Sequence, residues 1–376
     1  MSGTTTTTAA VVRPGAGTFA WEEVRLDAPR ADEVLVRVVG AGLCHTDLAV
    51  RDGHVPLPLP AVLGHEGAGV VQAVGDRVTR VAPGDTVLLS FSSCGACASC
   101  GRGRPAYCDT FLQRNASGSR ADGTSPLRDV RGDRISGRFF GQSSLGALAL
   151  ADERCAVPVE VADEDELARL APLGCAVQTG AGAVLNVLRP GPGDTLAVFG
   201  AGAVGLSAVM AAALSGAVRI IAVDIRPARL ALARELGATD TVDAGREDVA
   251  ARLAELTGGR GVHHAVESSG VPEVLRQAVD ALAVGGTAAV LGLPPAGTRV
   301  PLDIGALLRG RTVRGVYEGD SDPARFLPAL VALHRAGRLP FDRLLRLYPP
   351  ERINDAAADA ASGEAVKPVL RFPGGF

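Results

Sequence analysis

Up to about residue 155 the apolar positions fall in short runs broken by glycine and proline, a pattern of short β-strands. Examples are 33–39 (EVLVRVV), 69–74 (GVVQAV) and Thr86–Leu89, while Pro56, Pro58 and Pro60 punctuate a loop. The polar run Thr4 to Thr8 reads as a frayed tail, and 112–138, rich in Arg, Asp, Ser and Gly, as a long surface loop. Near residue 176 the pattern changes. Apolar strand candidates at Thr195–Phe199, 219–223, 262–266, 287–291 and 313–316 alternate with helical stretches at 203–214, 227–236, 249–256 and 272–282. Mostly apolar strands joined by helices imply a parallel sheet covered on both faces. The tail carries helical patterns at 323–336 and 350–361 and ends in a β-like run, 369–372.

Composition narrows the class. The 376 residues are 47% hydrophobic and 21% charged, which argues against disorder and suggests two domains. A formal net charge of −3 is too balanced for a nucleic-acid-binding surface. The opening MSGTTTTTAAVVR lacks the basic and apolar regions of a signal peptide, so a cytoplasmic protein is expected. The uncharged stretch 195–218 is long enough to span a bilayer. Glycines at 200, 202, 205 and 216 argue instead for a strand, a sharp turn and a helix, and no membrane partner is expected.

Gly200-Ala201-Gly202-Ala203-Val204-Gly205 follows a predicted strand and opens a predicted helix, and Asp224 ends the next strand. That context turns a common GxGxxG into a dinucleotide fingerprint. Gly200 would make the tight turn, Gly202 would let the backbone approach a pyrophosphate, and Gly205 would let helix and strand pack closely. Asp224 would accept hydrogen bonds from ribose hydroxyls and repel a 2′-phosphate, favouring NAD over NADP. Arg226 and Arg229 pull the other way.

Seven cysteines are too few for a disulfide-built protein of this length, and their clustering points to metal. Cys94, Cys97, Cys100 and Cys108 form C-x2-C-x2-C-x7-C, a spacing that can wrap one zinc ion tetrahedrally. An iron–sulfur cluster is the alternative, since thiolates bind both. With four protein ligands the role would be structural. Cys44, His65 and Cys175 lie too far apart for spacing to join them. Their settings, GLCHTD, GHE and LGC, nevertheless mark two thiolates and an imidazole that would leave a fourth zinc position open. Cys155 reads as a small buried residue. His263, His264 and His334 read as structural.

These motifs resemble those of the zinc-dependent medium-chain alcohol dehydrogenases over nearly the whole chain: GLCHTD, GHEGAG, the four-cysteine lobe, LGC--QTGAGA, the GxGxxG unit and VLGLPP. PAYCDTF, RN-SG and GCAVQTGAGAVLNVL resemble the aryl-alcohol (benzyl alcohol) dehydrogenase branch. The resemblance implies an α/β protein. A GroES-like, β-rich catalytic domain (1–175 and 319–376) would accompany a Rossmann doubly wound parallel sheet (176–318), with the cleft at their junction.

It further implies two zinc ions per chain. Cys44, His65 and Cys175 would hold the catalytic one, with Glu66 as a transient ligand, Asp47 orienting His65, and Thr46 bonding the substrate hydroxyl. His45 and Lys367 match positions that meet the pyrophosphate; Thr179, Leu291 and Leu293 match positions near the nicotinamide; Ala203, Val204 and Arg229 complete the expected NAD site. A histidine common in the family as outer proton acceptor is replaced by Ala49, leaving the ribose hydroxyl and water, or His54, to complete the relay. Phe91, Val55, Leu57, Phe140 and Leu293 are candidates for the substrate cleft.

The implied activity is NAD-dependent interconversion of a primary aromatic or allylic alcohol and its aldehyde, in a cytoplasmic homodimer or homotetramer. A thiol-dependent formaldehyde dehydrogenase is an alternative within the superfamily. A non-catalytic NAD-binding sensor or scaffold is an alternative from another class.

Overall fold

The computed structural model describes residues 3–373. By their contacts these divide into two compact units: Met1–Cys175 with Asp322–Val331 and Asp342–Phe376, and Ala176–Ser321 with Ala332–Phe341. The tail therefore contributes to both.

The first unit is built on antiparallel strands. In chain order they are β1 (Thr4–Val12), β2 (Phe19–Asp27), β3 (Glu33–Gly42), then helix α1 (His45–Arg51), β4 (Ala61–Val62), β5 (Gly67–Val74) and β6 (Thr86–Leu89). Short helices α2 (Ala98–Gly101) and α3 (Phe111–Asn115) precede β7 (Leu127–Asp129), β8 (Arg134–Ile135), β9 (Leu148–Asp152), β10 (Ala156–Pro158) and α4 (Glu164–Leu170). One sheet has the order β4-β1-β2-β7-β8. Val11, Val24, Leu26, Leu127 and Ile135 bury its inner face.

Two expectations fail in this unit. Thr4 to Thr8 are not frayed: they form the first half of β1, paired from Thr4↔Asp27 to Val12↔Phe19. β-branched threonines suit an extended, half-exposed strand despite their polarity. The stretch 112–138 is not merely a surface loop either. It adds β7 and β8 to the sheet and buries Asn115, Arg120 and Arg138. Arg120 donates from Nε and Nη2 to Glu33 at 2.8 and 3.0 Å and from Nη1 to Asp27 at 2.8 Å. Arg138 approaches Glu33 at 3.3 Å. A polar, charged sequence suggests solvation, but here its charges are paired internally. Burial opposes ionisation of Glu33, but the Arg120 bonds and the Arg138 charge outweigh it and hold the carboxyl below its ordinary range.

The second unit begins with α5 (Ala176–Gly182) and runs β11 (Thr195–Phe199), α6 (Ala203–Ala213), β12 (Arg219–Asp224), α7 (Pro227–Glu235), β13 (Asp240–Asp243), α8 (Val249–Thr257), β14 (Val262–Glu267), α9 (Pro272–Asp280), β15 (Leu282–Val290), α10 (Ile304–Leu307) and β16 (Thr312–Gly315). The strands are all parallel, in the order β13-β12-β11-β14-β15-β16. This is a doubly wound sheet whose order reverses between β11 and β14. Local signals set the helices. Pro227 and Pro272 start α7 and α9, and the Asp248 side chain caps α8 by accepting from Ala251 N at 3.1 Å. Phe199, Ile221, Val242, Leu253 and Leu282 pack in its core. Truncating a core leucine such as Leu253 to alanine removes about 2–5 kcal/mol.

The chain closes with α11 (Pro323–Arg335), β17 (Leu345–Tyr348), α12 (Ile353–Ser362) and β18 (Lys367–Arg371). β17 and β18 complete a seven-stranded sheet in the first unit, with the path β10-β6-β5-β3-β18-β17 and β9 paired to β3. The uncharged stretch 195–218 resolves into β11, a turn and α6. Among the described residues no single helix is long and apolar enough to cross a membrane.

Candidate active site and metal centres

Cys44 ends the segment after β3 and caps α1; its own N–H donates to Asp47 Oδ2 at 2.9 Å. This reach of an N3 carboxylate back to the cap residue explains the C-H-T-D order. The other Asp47 oxygen meets Gly64 N at 3.0 Å and His65 Nδ1 at 3.1 Å. One fully buried carboxylate thus fixes both the α1 start and the imidazole. Gln142 holds the backbone beside it, donating from Nε2 to His65 O at 3.0 Å and Ser90 O at 2.8 Å. Phe140 stacks on the His65 ring at 4.6 Å, and Phe139 meets it edge-on at 5.4 Å. Nothing in the sequence pattern singles out Gln142 or Phe139.

Folding brings ligand atoms of Cys44, His65, Glu66 and Cys175 within 4.8 Å of one another. His65 Nε2 is buried with no hydrogen-bond partner. A hydrogen bond from Cys175 holds the Cys44 thiol well below its usual pKa, against burial, and the Lys367 and His65 charges add to this. Burial opposes protonation of His65, but Asp47 and Cys44 outweigh it and raise its pKa. The surroundings therefore favour a cation among these atoms. Two sulfurs and one imidazole are a zinc donor set, and the Asp47 bond to Nδ1 presents Nε2 to it.

Glu66 is fully buried; burial pushes its carboxyl up to about 7, opposed by the Lys367 charge. Lys367 is itself 2% exposed and bonds Glu66 Oε1 at 2.7 Å. The single lysine of the chain thus sits behind the site rather than on an open surface. His45 is exposed at the first position of α1. The Thr46 hydroxyl lies 3.8 Å from Cys44 Sγ.

The second cluster is local. Ligand atoms of Cys94, Cys97, Cys100 and Cys108 also converge within 4.8 Å. Backbone amides turn inward: Cys97 N donates to Cys94 Sγ at 3.2 Å, Cys94 N to Cys108 Sγ at 3.2 Å and Cys100 N to Cys97 Sγ at 3.5 Å. Such donors stabilise thiolates. All seven cysteines are free of disulfides. Phe91, Ala106 and Phe111 form a small core beneath this lobe, so Phe91 packs there. Val55 and Leu57 pack with Phe140 at the edge of the unit's main core. Cys155 is fully buried.

In the second unit, Gly200 has φ +91°, and a Cβ on Gly205 would lie 1.8 Å from Gly200 O. Both positions require glycine. Gly202 caps α6, where Ala203 and Val204 begin the helix whose amides face the turn. Asp224 Oδ2 accepts from Ala201 N at 2.6 Å and Oδ1 from Arg226 N at 2.9 Å. The carboxylate is thereby fixed beside the glycine turn. Arg229 is nearly buried. Burial lowers its pKa while the Asp224 charge opposes the shift. Thr179 Oγ1 lies 3.5 Å from Glu318 Oε2. Leu291 N donates to Glu267 O at 2.8 Å, and Leu293 is 49% exposed.

Comparison with known proteins agrees with this arrangement. Residues 30–157 match the alcohol dehydrogenase GroES-like domain and 203–334 match the zinc-binding dehydrogenase family. The chain is 47% identical over 97% of both chains to a geraniol dehydrogenase of Castellaniella defragrans. A solved alcohol dehydrogenase zinc-binding domain protein from Burkholderia ambifaria is similar at TM-score 0.95 with 54% identity, covering 99% of this chain and 100% of that one. Benzyl alcohol dehydrogenase from Acinetobacter calcoaceticus is similar at TM-score 0.93 with 44% identity, covering 98% and 100%.

A GroES-like domain with a metal donor set and a nucleotide-binding parallel sheet define a zinc-dependent alcohol oxidoreductase that uses a nicotinamide cofactor. The chain belongs to the zinc-dependent medium-chain alcohol dehydrogenases, whose substrates are small alcohols and aldehydes.

Proposed function

We propose that the protein interconverts primary aromatic or allylic alcohols and their aldehydes with NAD, using two zinc ions per chain. The observation that carries this reading is the convergence of Cys44, His65 and Cys175 from three distant segments, with Asp47 locking the imidazole. Substrate class is supported by the names of two relatives, since geraniol and benzyl alcohol both carry their hydroxyl one carbon from a π-system. The Phe140 ring against His65 offers such a substrate an aromatic wall.

Cys44, His65 and Cys175 would hold a zinc ion that supplies Lewis acidity toward the alcohol oxygen, and the bound nicotinamide would exchange the hydride. The chain's own residues do the rest. Asp47 holds the imidazole orientation through Nδ1. Thr46 Oγ1 takes the substrate hydroxyl proton in the oxidation direction and returns it in reduction. Ala49 offers no acceptor beyond it, so onward transfer would fall to a hydroxyl of the bound coenzyme and water, or to His54. Lys367 neutralises Glu66 and keeps that carboxylate within reach as a transient ligand. Cys94, Cys97, Cys100 and Cys108 would hold the structural ion.

Residues 1–175 with 319–376 would form the catalytic domain and 176–318 the NAD domain, although by their contacts 319–321 and 332–341 group with the second unit. Asp224, anchored to the glycine turn, supports NAD over NADP. His45, Thr179, Leu291 and Leu293 are proposed to help hold the coenzyme; Lys367, expected to meet the pyrophosphate, is instead sealed against Glu66 and would reach it only if that pair opened. A cytoplasmic homodimer or homotetramer completes the reading; β16 ends the sheet, and Leu308 beside it is 83% exposed.

The test is an NAD-coupled screen over benzylic, allylic and aliphatic alcohols, a thiol–formaldehyde adduct and an NADP arm. Benzyl alcohol and geraniol should exceed ethanol in kcat/KM by about tenfold or more, the differential of one well-filled apolar pocket. Preference for ethanol or for the adduct would overturn the substrate assignment.

A further inference from the structure

A cavity of about 430 Å³ opens in the second unit, within the usual size of a small-molecule site. It is lined at the starts of β14, β15 and β16 and by α8 and α9. The glycine turn follows the other end of β11. Because every strand in this sheet is parallel, the cavity lies at the sheet edge opposite the coenzyme loop.

Its chemistry is two-sided. Leu253 and Leu282, 3% and 1% exposed, contribute apolar walls, and Val284 on its margin is 63% exposed. Four arginines also line it. Arg276 is already paired with Glu273 and Asp280 at 2.5 and 2.6 Å. Arg260, Arg309 and Arg311 form no ion pair among the described residues. Arg311 donates from Nη1 to Val279 O at 3.2 Å, but its Nε is buried without a partner. A buried donor left unmade is costly, and a bound acceptor would relieve it. Of the carboxylates in the wall, Asp280 is held by Arg276, and Asp248 accepts from Ala251 N.

We propose that this cavity binds an amphipathic organic anion: a carboxylate or phosphate monoester head against Arg260, Arg309 and Arg311, with an apolar body along Leu253, Leu282 and Val284. Planar guanidinium groups match such heads bidentately. The site shares no residue with the coenzyme and zinc sites and does not depend on the substrate assignment above.

Isothermal titration of the full chain, with and without saturating NAD, tests it with three probes: benzoate, phenyl phosphate and inorganic phosphate. Benzoate or phenyl phosphate should bind once per chain at sub-millimolar affinity, equally in both conditions, and the tighter of the two identifies the head group. Inorganic phosphate should bind about tenfold or more weakly, since it leaves the apolar walls bare. The double variant Arg260→Gln/Arg309→Gln removes two charges that form no ion pair among the described residues, and Val284→Asp sets a like charge on the exposed rim. Each should weaken binding about tenfold or more while leaving benzyl alcohol turnover unchanged. Absence of binding by both organic probes, equal affinity for inorganic phosphate, or binding that survives both variants would overturn the proposal; the last would assign the heat to the zinc or coenzyme site.

Discussion

The two cysteine groups solve the same chemical problem in opposite ways. The lobe draws four thiols from one short segment and turns its own amides onto the sulfurs. It has only a small core beneath it. The other site takes its donors from the ends of three elements and surrounds them with buried side chains, Asp47, Gln142, Phe139 and the Glu66–Lys367 pair, and the partly buried Phe140. A local site is ordered by its ion; a dispersed site is ordered by the fold before any ion arrives. The first suits structure and the second suits catalysis, where one position must stay free for substrate.

Several substitutions would sharpen or break that contrast. Cys175→Ser should lower turnover by about a thousandfold or more, some 4 kcal/mol of barrier, and remove one zinc per chain with little change in melting temperature. Elemental analysis beside the NAD-coupled rate checks this, and full turnover would refute the ligand assignment. Cys97→Ser should do the reverse: remove the other zinc and lower thermal stability by several °C or more, with turnover largely kept in freshly prepared protein. Equal loss of activity in both variants would erase the distinction between the sites.

Glu33→Gln removes the carboxylate shared by two buried arginines, leaving Arg120 with Asp27 and Arg138 with Asp152, and should cost about 3 kcal/mol in urea unfolding. The sign with pH follows from the lowered folded pKa of Glu33. Its contribution is present above the ordinary carboxyl range and fades as pH falls through the lowered value, so the gap between wild type and variant should close in acid. Asp47→Asn should weaken zinc affinity at the dispersed site by about 10–100-fold, that is ~1.4–2.7 kcal/mol, read by chelator competition. Least of all, Cys155→Ala should leave zinc content and turnover unchanged. Burial pushes that thiol up, so it should resist thiol reagents at pH 8.

What could be read in advance divides along the same line. The parallel sheet, its helices and the glycine turn were legible because their signals are periodic or contiguous; Thr86–Leu89 and Thr195–Phe199 form strands over the expected residues. The lobe was legible from spacing alone. The grouping of Cys44, His65 and Cys175 needed family resemblance, since only the folded chain brings them together. Arg120 and Arg138 were opaque: their partner Glu33 lies 87 and 105 residues away in sequence, and a charged stretch looks solvated until that partner is known. Gln142 was opaque for the same reason, as its acceptors are backbone carbonyls at positions 65 and 90.

Lys367 gives the molecule an unusual analytical property. It is the only side-chain amine in the chain, and it is sealed against Glu66. Amine-directed acylation of side chains can therefore proceed only when the region behind the catalytic donors opens. The rate of that single modification, followed by mass spectrometry, becomes a clock for local breathing of the site, free of background from surface lysines.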